Sequence, residues 1–556
     1  MSDAHTSQVA ESVARDEIEH ASSSSRRREQ WKGKARQWTS VVLQHFKRHA
    51  ANGIVCSVAY FDPGNWSVDL QAGSEFGYKL LFMVLLSGIM AVVFQSMATR
   101  LGVVTGLDLA THCRMLLYNR TKHPRLCRWL VLYPLYAISE IAIISTDLAE
   151  LLGSATALVL LFPALPLWAG VLITASDVFI ILAVSDPTRG KPVRFFELLI
   201  AALVLAVFVS LAIVIAQVSP DWKDAFEGFL PSKTLFKPRA IYTSIGIIGA
   251  TVMPHGLFLG SSLATQDRVH MKNNEAFDSQ ETLVLPPLTK PRRTRLFSRQ
   301  SLRAAFQSFK MNDNDASSTK DGEVTHFSWT NNSLDFVRTH LTHGIVDVVM
   351  SLMGFAVVIN ALILIIASAV FFSGSDGQGT DAPADLFEAH TLIRQRVGTA
   401  AAVLFALALL FAGESAGITA TLAGQVVSEG FIRWHISPLI RRTITRLLGL
   451  IPSMLVAVIV GRDGLNTLLV ASQVILSFVL PFVAFPLVWI TSSSRFMRVK
   501  RDCSSDASDS QDGEELPEYI DYSNGKIVMV LGYVIWVAVL VANAYVLVSL
   551  AMGQDG

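Results

Sequence analysis

Of the chain's 556 residues, 51% are hydrophobic and only 16% charged, and the mean hydropathy is +0.44. A soluble domain carries about a quarter charged residues, so this composition excludes an ordinary soluble domain. The formal net charge of +1 is too balanced for a nucleic-acid-binding surface, and the partner it implies is a lipid bilayer.

In chain order, a polar tail (1–44) without a cleavable signal peptide comes first. Eleven apolar spans follow, at about 50–77, 79–99, 128–160, 166–185, 193–217, 239–266, 337–372, 397–413, 442–461, 464–491 and 524–550. Several exceed the roughly 20 residues that cross a bilayer, which predicts tilted or broken helices. Positive clusters recur at every second loop: RRREQWKGKAR (26–36), the Arg114–Arg128 stretch, Arg189 to Arg194, the 267–336 segment, Arg433 to Arg446, and RFMRVKR (495–501). The positive-inside rule then puts the N-terminus in the cytosol and the C-terminus outside. The sequons at Asn119 and Asn331 would face the cytosol.

The tail and the loops 267–336 and 494–520 are rich in Ser, Asp, Asn and basic residues and lack apolar periodicity, so they read as disordered. Their composition favours plain solvated linkers, with regulatory contacts through phosphorylation as the alternative. Four cysteines, Cys56, Cys113, Cys127 and Cys503, have no metal-type spacing, and no structural disulfide is expected.

Span 1 reads SVAYFDPGNWSVD, a carboxylate and a Pro-Gly pair inside apolar sequence. An ionised group there is expensive and the proline breaks the helix. Span 6, IYTSIGIIGATVMPHGLFLGSSLA, is broken in the same way at Pro254. Two proline-broken spans five helices apart suggest two five-helix halves of opposite topology, whose broken helices meet at mid-membrane around a substrate. The halves run 45–217 and 239–491, followed by a cytosolic loop (492–523) and an eleventh helix with a short tail (524–556).

The polar groups at the breaks are Asp62, Asn65, Met253 and His255, with Gln473 from span 10. Oxygens alone would suit magnesium or calcium, whereas a thioether favours softer ions such as manganese, iron or cobalt. Met253 taken singly reads as packing. Span 3 carries Glu140, Asp147 and Glu150 within about 80° of one helix face. Intramembrane acids mark ion or proton routes; alternatively they pair with Arg441 and Arg442 to hold span 3 to span 9. His255 could shuttle protons or cap a broken helix.

The motifs DPGN, A-x-x-M-P-H and LLVASQVILSFVLPF, with EIAIISTDLAELLG (140–153) and AGESAGITATLAGQVVSEGF (412–431), resemble the Nramp family of proton-coupled divalent-metal transporters. The resemblance runs from about residue 45 to 491. It implies an all-α polytopic membrane protein with LeuT-like inverted five-helix repeats, helices 1 and 6 broken, in the plasma membrane or an endosomal or vacuolar membrane. It implies a metal held by Asp62, Asn65 and Met253, with the carbonyls of Ala59 and Ala250 and the side chain of Gln473 contributing. It implies a proton relay from Asp62 toward Asp147 and Glu150, tuned by Arg441 and Arg442, with His255 beside the route and Glu140 at its exit. Metal ions and protons are then cargo and coupling ion, and no cofactor is expected. One departure is MPHGLFLGS where family members often carry MPHNLFLHS, so Gly256 and Gly260 replace polar residues at positions not assigned to the metal.

Neither HExxH nor a phosphate-binding G-x-x-x-x-G-K-[ST] occurs, which argues against an intramembrane metalloprotease or an ATP-driven pump. The His45–His49 pair reads as interfacial, and the His340–His343 pair as having no acidic partner at metal-ligand spacing. The alternative is a carrier of the same architecture for another cargo. Asp62 would repel an amino-acid carboxylate, and a magnesium carrier gains nothing from Met253.

Overall fold

A computed structural model describes residues 51–118, 120, 122–184, 194–267, 329–372, 385–433, 438–501 and 518–552, without the side chains at 51–52, 177–184, 194–197, 438–442, 463 and 550. The tail 1–44 and most of the two long loops lie outside these residues.

Proline placement sets the architecture. Helix α1 (Ala51–Val58) stops inside the apolar run, and α2 (Pro63–Phe76) restarts after four residues. Pro63 disfavours helical geometry in the residue before it. Accordingly Asp62 is extended (φ −65°, ψ 169°) and caps α2. Span 6 repeats the construction. Helix α8 (Pro238–Thr251) ends, Met253 is extended (φ −75°, ψ 124°), and Pro254 opens α9 (Pro254–Leu263). Proline suits the first helical position because the N–H it lacks would be unpaired there anyway. Asp62 and Met253 therefore occupy the same local position in the two breaks.

The remaining spans are α3 (Leu81–Thr105), α5 (Tyr133–Leu161), α6 (Leu167–Val184), α7 (Arg194–Val218), α10 (Leu334–Ser351) continuing into α11 (Val357–Ala367), α12 (Thr399–Ile432), α13 (Pro438–Leu455), α14 (Arg462–Thr491) and α15 (Lys526–Ala551). A short helix, α4 (Leu109–Leu117), lies between α3 and α5. Nine described helical bodies are long and apolar enough to cross a bilayer. One of them, Pro63–Thr105, contains two spans joined by the turn Gly77–Leu80, and α6 adds another. Eleven spans result, as the hydropathy predicts.

The eighth span differs from its expected extent. Hydropathy ends it at residue 413, yet α12 continues to Ile432. Gly417, Ala420, Ala423 and Gly424 are buried there, and small side chains let α12 pack along α5 and α7. Polar letters on a membrane helix shielded by protein lower its hydropathy without ending it.

Small residues also seat the first break. A Cβ on Gly153 of α5 would stand 2.0 Å from Cβ of Pro63, and one on Gly413 of α12 would stand 2.1 Å from Ser154 Oγ and 3.3 Å from Pro63 Cγ. From the other side, Asp347 of α10 accepts the Gly53 N–H at 2.6 Å, satisfying one of the unpaired donors at the start of α1.

Two segments read as disordered have ordered ends. The segment 329–332 caps α3: Trp329 Nε1 donates to the Thr105 carbonyl (2.8 Å), Asn332 Nδ2 to Val103 (2.8 Å) and Asn332 N to Val104 (3.1 Å). These are carbonyls that a helix C-terminus leaves unpaired. Gly106 makes the turn with φ +71°, and a Cβ there would lie 2.8 Å from Asn332 Oδ1. Asn331 donates to the carbonyls of Phe496 and Arg498 (2.8 and 2.9 Å). Arg498–Lys500 pairs antiparallel with Tyr519–Asp521 around a buried Val499. Composition missed these ends because their order comes from backbone groups of a distant helix.

Gly153→Ala should lower the melting temperature of the detergent-solubilised protein, because overpacking costs about 1–3 kcal/mol. Gly354→Ala, with open space around residue 354, should leave it unchanged. Tryptophan-fluorescence melting curves of the two variants check this.

Candidate metal site

Asp62 and Asn65 hold each other in place at the first break. The Asn65 N–H donates to Asp62 Oδ1 (2.8 Å), the usual bond of a capping carboxylate. Asn65 Nδ2 donates to the Tyr60 carbonyl (2.7 Å), which the unwound turn has released, and Asn360 Nδ2 of α11 donates to the same oxygen (2.8 Å). These bonds leave Asp62 Oδ2 and Asn65 Oδ1 buried with no hydrogen-bond partner. Asn360 was not among the residues picked from the sequence, although a lone amide in VVINALILII was a readable signal.

Gln473 of α14 links the two breaks. A Cβ on Gly64 would meet its Nε2 at 1.7 Å, and a Cβ on Gly249 would meet its carbonyl oxygen at 2.1 Å. One glycine belongs to each broken span, so both lie against residue 473. Gln473 Nε2 donates to Ser472 Oγ (3.2 Å) while its Oε1 is buried without a partner.

Asp62, Met253 and Gln473 are each 0% exposed, and Ala59, Asn65 and Ala250 are 1% exposed. The helices bearing them pack directly: α2 on α8 and α14, and α8 on α14. Buried acceptors are normally paired, and an unpaired one forfeits its hydration. Three such oxygens at the breaks form a demand for positive charge. The carbonyl ends of α1 and α8 add negative potential. Among the described residues no three His, Cys, Asp or Glu side chains converge as a metal-holding group, so a cation at Asp62 would draw on neutral donors as well.

The acids of α5 form a second cluster. Asp147 (2% exposed) is ion-paired with Arg446 of α13, which also donates to the Thr174 carbonyl of α6 (3.3 Å). The expected partners were Arg441 and Arg442, whose side chains lie outside the described ones. Arg446, about one turn further along α13, is the arginine that meets α5 among the described side chains. Glu150 (1% exposed) has both carboxylate oxygens unpartnered, and the charges acting on it are Asp147, Arg446, Asp62 and Glu414 of α12. Glu150 is thus an α5 acid on which the charge of Asp62 acts. Glu414 was quoted in a motif but not assigned. Glu140 is only half-buried, toward the start of α5. His255 Nδ1 lies 3.3 Å from the Thr146 hydroxyl, beside Asp147, and its Nε2 is unpartnered.

Gly256 and Gly260 are explained by neighbours. A Cβ on Gly260 would strike Gln95 Nε2 at 1.5 Å. Gln95 of α3 fills that space, accepting from the Tyr60 hydroxyl (3.0 Å) and approaching Cys56 Sγ (3.5 Å). Gly256 has the Tyr60 hydroxyl 3.4 Å from its would-be Cβ. The polar groups beside these glycines come from α3 and from Tyr60 in the first break.

Arg446→Met should destabilise the protein by about 3–5 kcal/mol, the cost of stranding a buried charge, and Asp147→Asn in the same chain should recover much of it. Gly260→Ala should destabilise by displacing Gln95, and Gln95→Ala should cancel that loss. Double-mutant cycles on melting temperature read both couplings.

Residues 53–502 match the family described as natural resistance-associated macrophage protein-like. A manganese transporter of Schizosaccharomyces pombe is 40% identical over 92% of this chain and 87% of its own length. An iron transporter of Saccharomyces cerevisiae is 34% identical over 92% and 98%. The crystal structure of a manganese transporter mutant from Eremococcus coleocola superposes with a TM-score of 0.62 at 27% identity, covering 89% of this chain and 85% of that one. The chain is a multi-pass integral membrane protein, and with both broken spans and the buried oxygen cluster inside the matched region, it belongs to the Nramp family of transporters.

Proposed function

We propose that the protein carries divalent transition-metal ions, manganese and iron among them, into the cytosol together with protons. The observation that carries this reading is the set of three buried, unpartnered oxygens at the breaks, Asp62 Oδ2, Asn65 Oδ1 and Gln473 Oε1. Asp62 supplies charge, Asn65 and Gln473 neutral oxygen, and Met253 a thioether that hard calcium and magnesium do not reward. The carbonyls of Ala59 and Ala250 complete the donor set in this reading. The named activities of the yeast relatives support the same cargo class.

For protons, Glu150 accepts from the Asp62 region and hands on to Asp147, with Arg446 compensating the buried charge. His255 lines the route, and Glu140 lies at its wetter end. The cytosolic side is the one bearing the basic loops. Rocking of the bundle holding the two broken spans, within repeats 45–217 and 239–491, alternates access.

Proteoliposomes should take up Mn²⁺ faster at outside pH 5.5 than at pH 7.5. Asp62→Ala should reduce uptake by about 100-fold or more, since loss of even the outer partners of a metal ligand costs up to about 100-fold. Met253→Ala should let Ca²⁺ compete. Glu150→Gln should retain Mn²⁺ binding by calorimetry while losing acid stimulation. Full uptake by Asp62→Ala would sink the site.

A further inference from the structure

Helix α14 carries a proline inside its membrane span, Pro481, eight positions past Gln473. Proline has no N–H to give the carbonyl four residues earlier, and its ring crowds that oxygen. The carbonyl stranded in this way is that of Ser477, a residue 1% exposed. Inside a bilayer a neighbouring helix has to supply the missing donor. Asn543 of α15 does so. Its Nδ2 donates to the Ser477 carbonyl (2.6 Å), and its Oδ1 accepts from the Ser477 hydroxyl (2.8 Å).

Asn543 stands out on its own helix. It is the only amide side chain in the sequence of α15 and is 4% exposed, whereas Val534, Val537, Val541 and Leu547 of the same helix are exposed. A second bond from α15, Trp536 Nε1 to the Pro481 carbonyl (2.9 Å), lies about two turns away along the helix.

Ser477 also belongs to the frame of the metal site. A Cβ on Gly249 of α8 would meet Ser477 N at 2.8 Å and Ser477 Cβ at 2.9 Å, together with the Gln473 carbonyl. The turn of α14 from Gln473 to Ser477 therefore touches the second broken span while it is bonded to Asn543. Helix α15 packs along α14 and touches α8 as well.

We infer that Asn543 is a positioning residue for the metal site: it takes the place of the N–H that Pro481 lacks, and so fixes the bend of α14 that holds Gln473 against both breaks. The inference rests on the site proposed above. A tether that only docked α15 could hold any carbonyl of α14, whereas this one is at the carbonyl that proline strands.

Because a missing N–H is the cause, restoring it is the test. Mn²⁺ uptake into proteoliposomes and melting temperature are compared for wild type, Asn543→Ala, Pro481→Ala, the two combined, and Trp536→Phe. Asn543→Ala should raise KM for Mn²⁺ about tenfold, within the range that one stranded buried acceptor is worth. In the double variant residue 481 regains its N–H, and KM should fall to within about twofold of that of Pro481→Ala alone. Trp536→Phe removes the other bond from α15 and should leave KM unchanged. Wild-type KM in a folded Asn543→Ala protein would overturn the assignment. So would an equal rise in Trp536→Phe, or a double variant no better than Asn543→Ala. Should Asn543→Ala alone not fold, the double variant has to fold and keep the KM of Pro481→Ala, and failure there overturns the assignment too. Melting temperature reads the pairing without any transported ion: Asn543→Ala should lower it in the wild-type background and not beside Pro481→Ala. That cycle still judges the pairing of Asn543 with Pro481 if Asp62→Ala keeps full uptake and the metal-site reading itself falls.

Discussion

A helix that stops inside a bilayer exposes backbone and capping groups that hydrocarbon cannot satisfy, and the rest of this molecule is arranged around two such stops. Lipid-facing, each would cost several kcal/mol per unpaired group. Enclosed by α5, α11, α12 and α14, the same groups form a polar interior. Asn360 and Asn65 quiet the released Tyr60 carbonyl, and the oxygens left over are those a cation can use. The enclosure must be tight, which is why glycine recurs where α2, α5, α8, α12 and α14 touch.

The same constraint separates the two polar clusters. At the breaks, unpaired oxygens outnumber donors, and the local field invites positive charge. Two turns along α5, Asp147 already has its cation in Arg446. The charges of Asp62, Asp147 and Arg446 all act on Glu150. Under the function proposed above, a gain of positive charge at Asp62 and a gain of a proton at Glu150 would relieve the same excess of negative charge.

Much of this was legible in the sequence because proline acts locally: a Pro in an apolar run names the break, and the residue before it is left extended there. Asp62 and Met253 follow from that rule, and Asn65 is the polar side chain three residues past the first of them. Gln473 was read as a lone amide in apolar span 10, and the structure adds Gly64 and Gly249 as the reason it sits between the breaks. Helical phase carries what the reading left out. Among the described side chains Arg446 meets Asp147, and no pattern in RRTITR singles it out. Gln95 was unreadable because its importance comes from side-chain volume missing at Gly260 on another helix. The ordered ends of the loops were hidden for a similar reason: Trp329 and Asn332 serve carbonyls more than two hundred positions away.

That last cap has a consequence for engineering the chain. Asp267 contacts His340 of α10 at 3.5 Å, and Trp329 to Asn332 are bonded to the end of α3, so the described residues on either side of 268–328 are anchored. Between pinned ends, the closure entropy of a flexible insert grows only logarithmically with length, by about 0.6 kcal/mol per doubling. A reporter domain spliced into this stretch would therefore strain the transporter little, provided both anchors are kept. Shortening it past Trp329 would instead uncap a membrane helix.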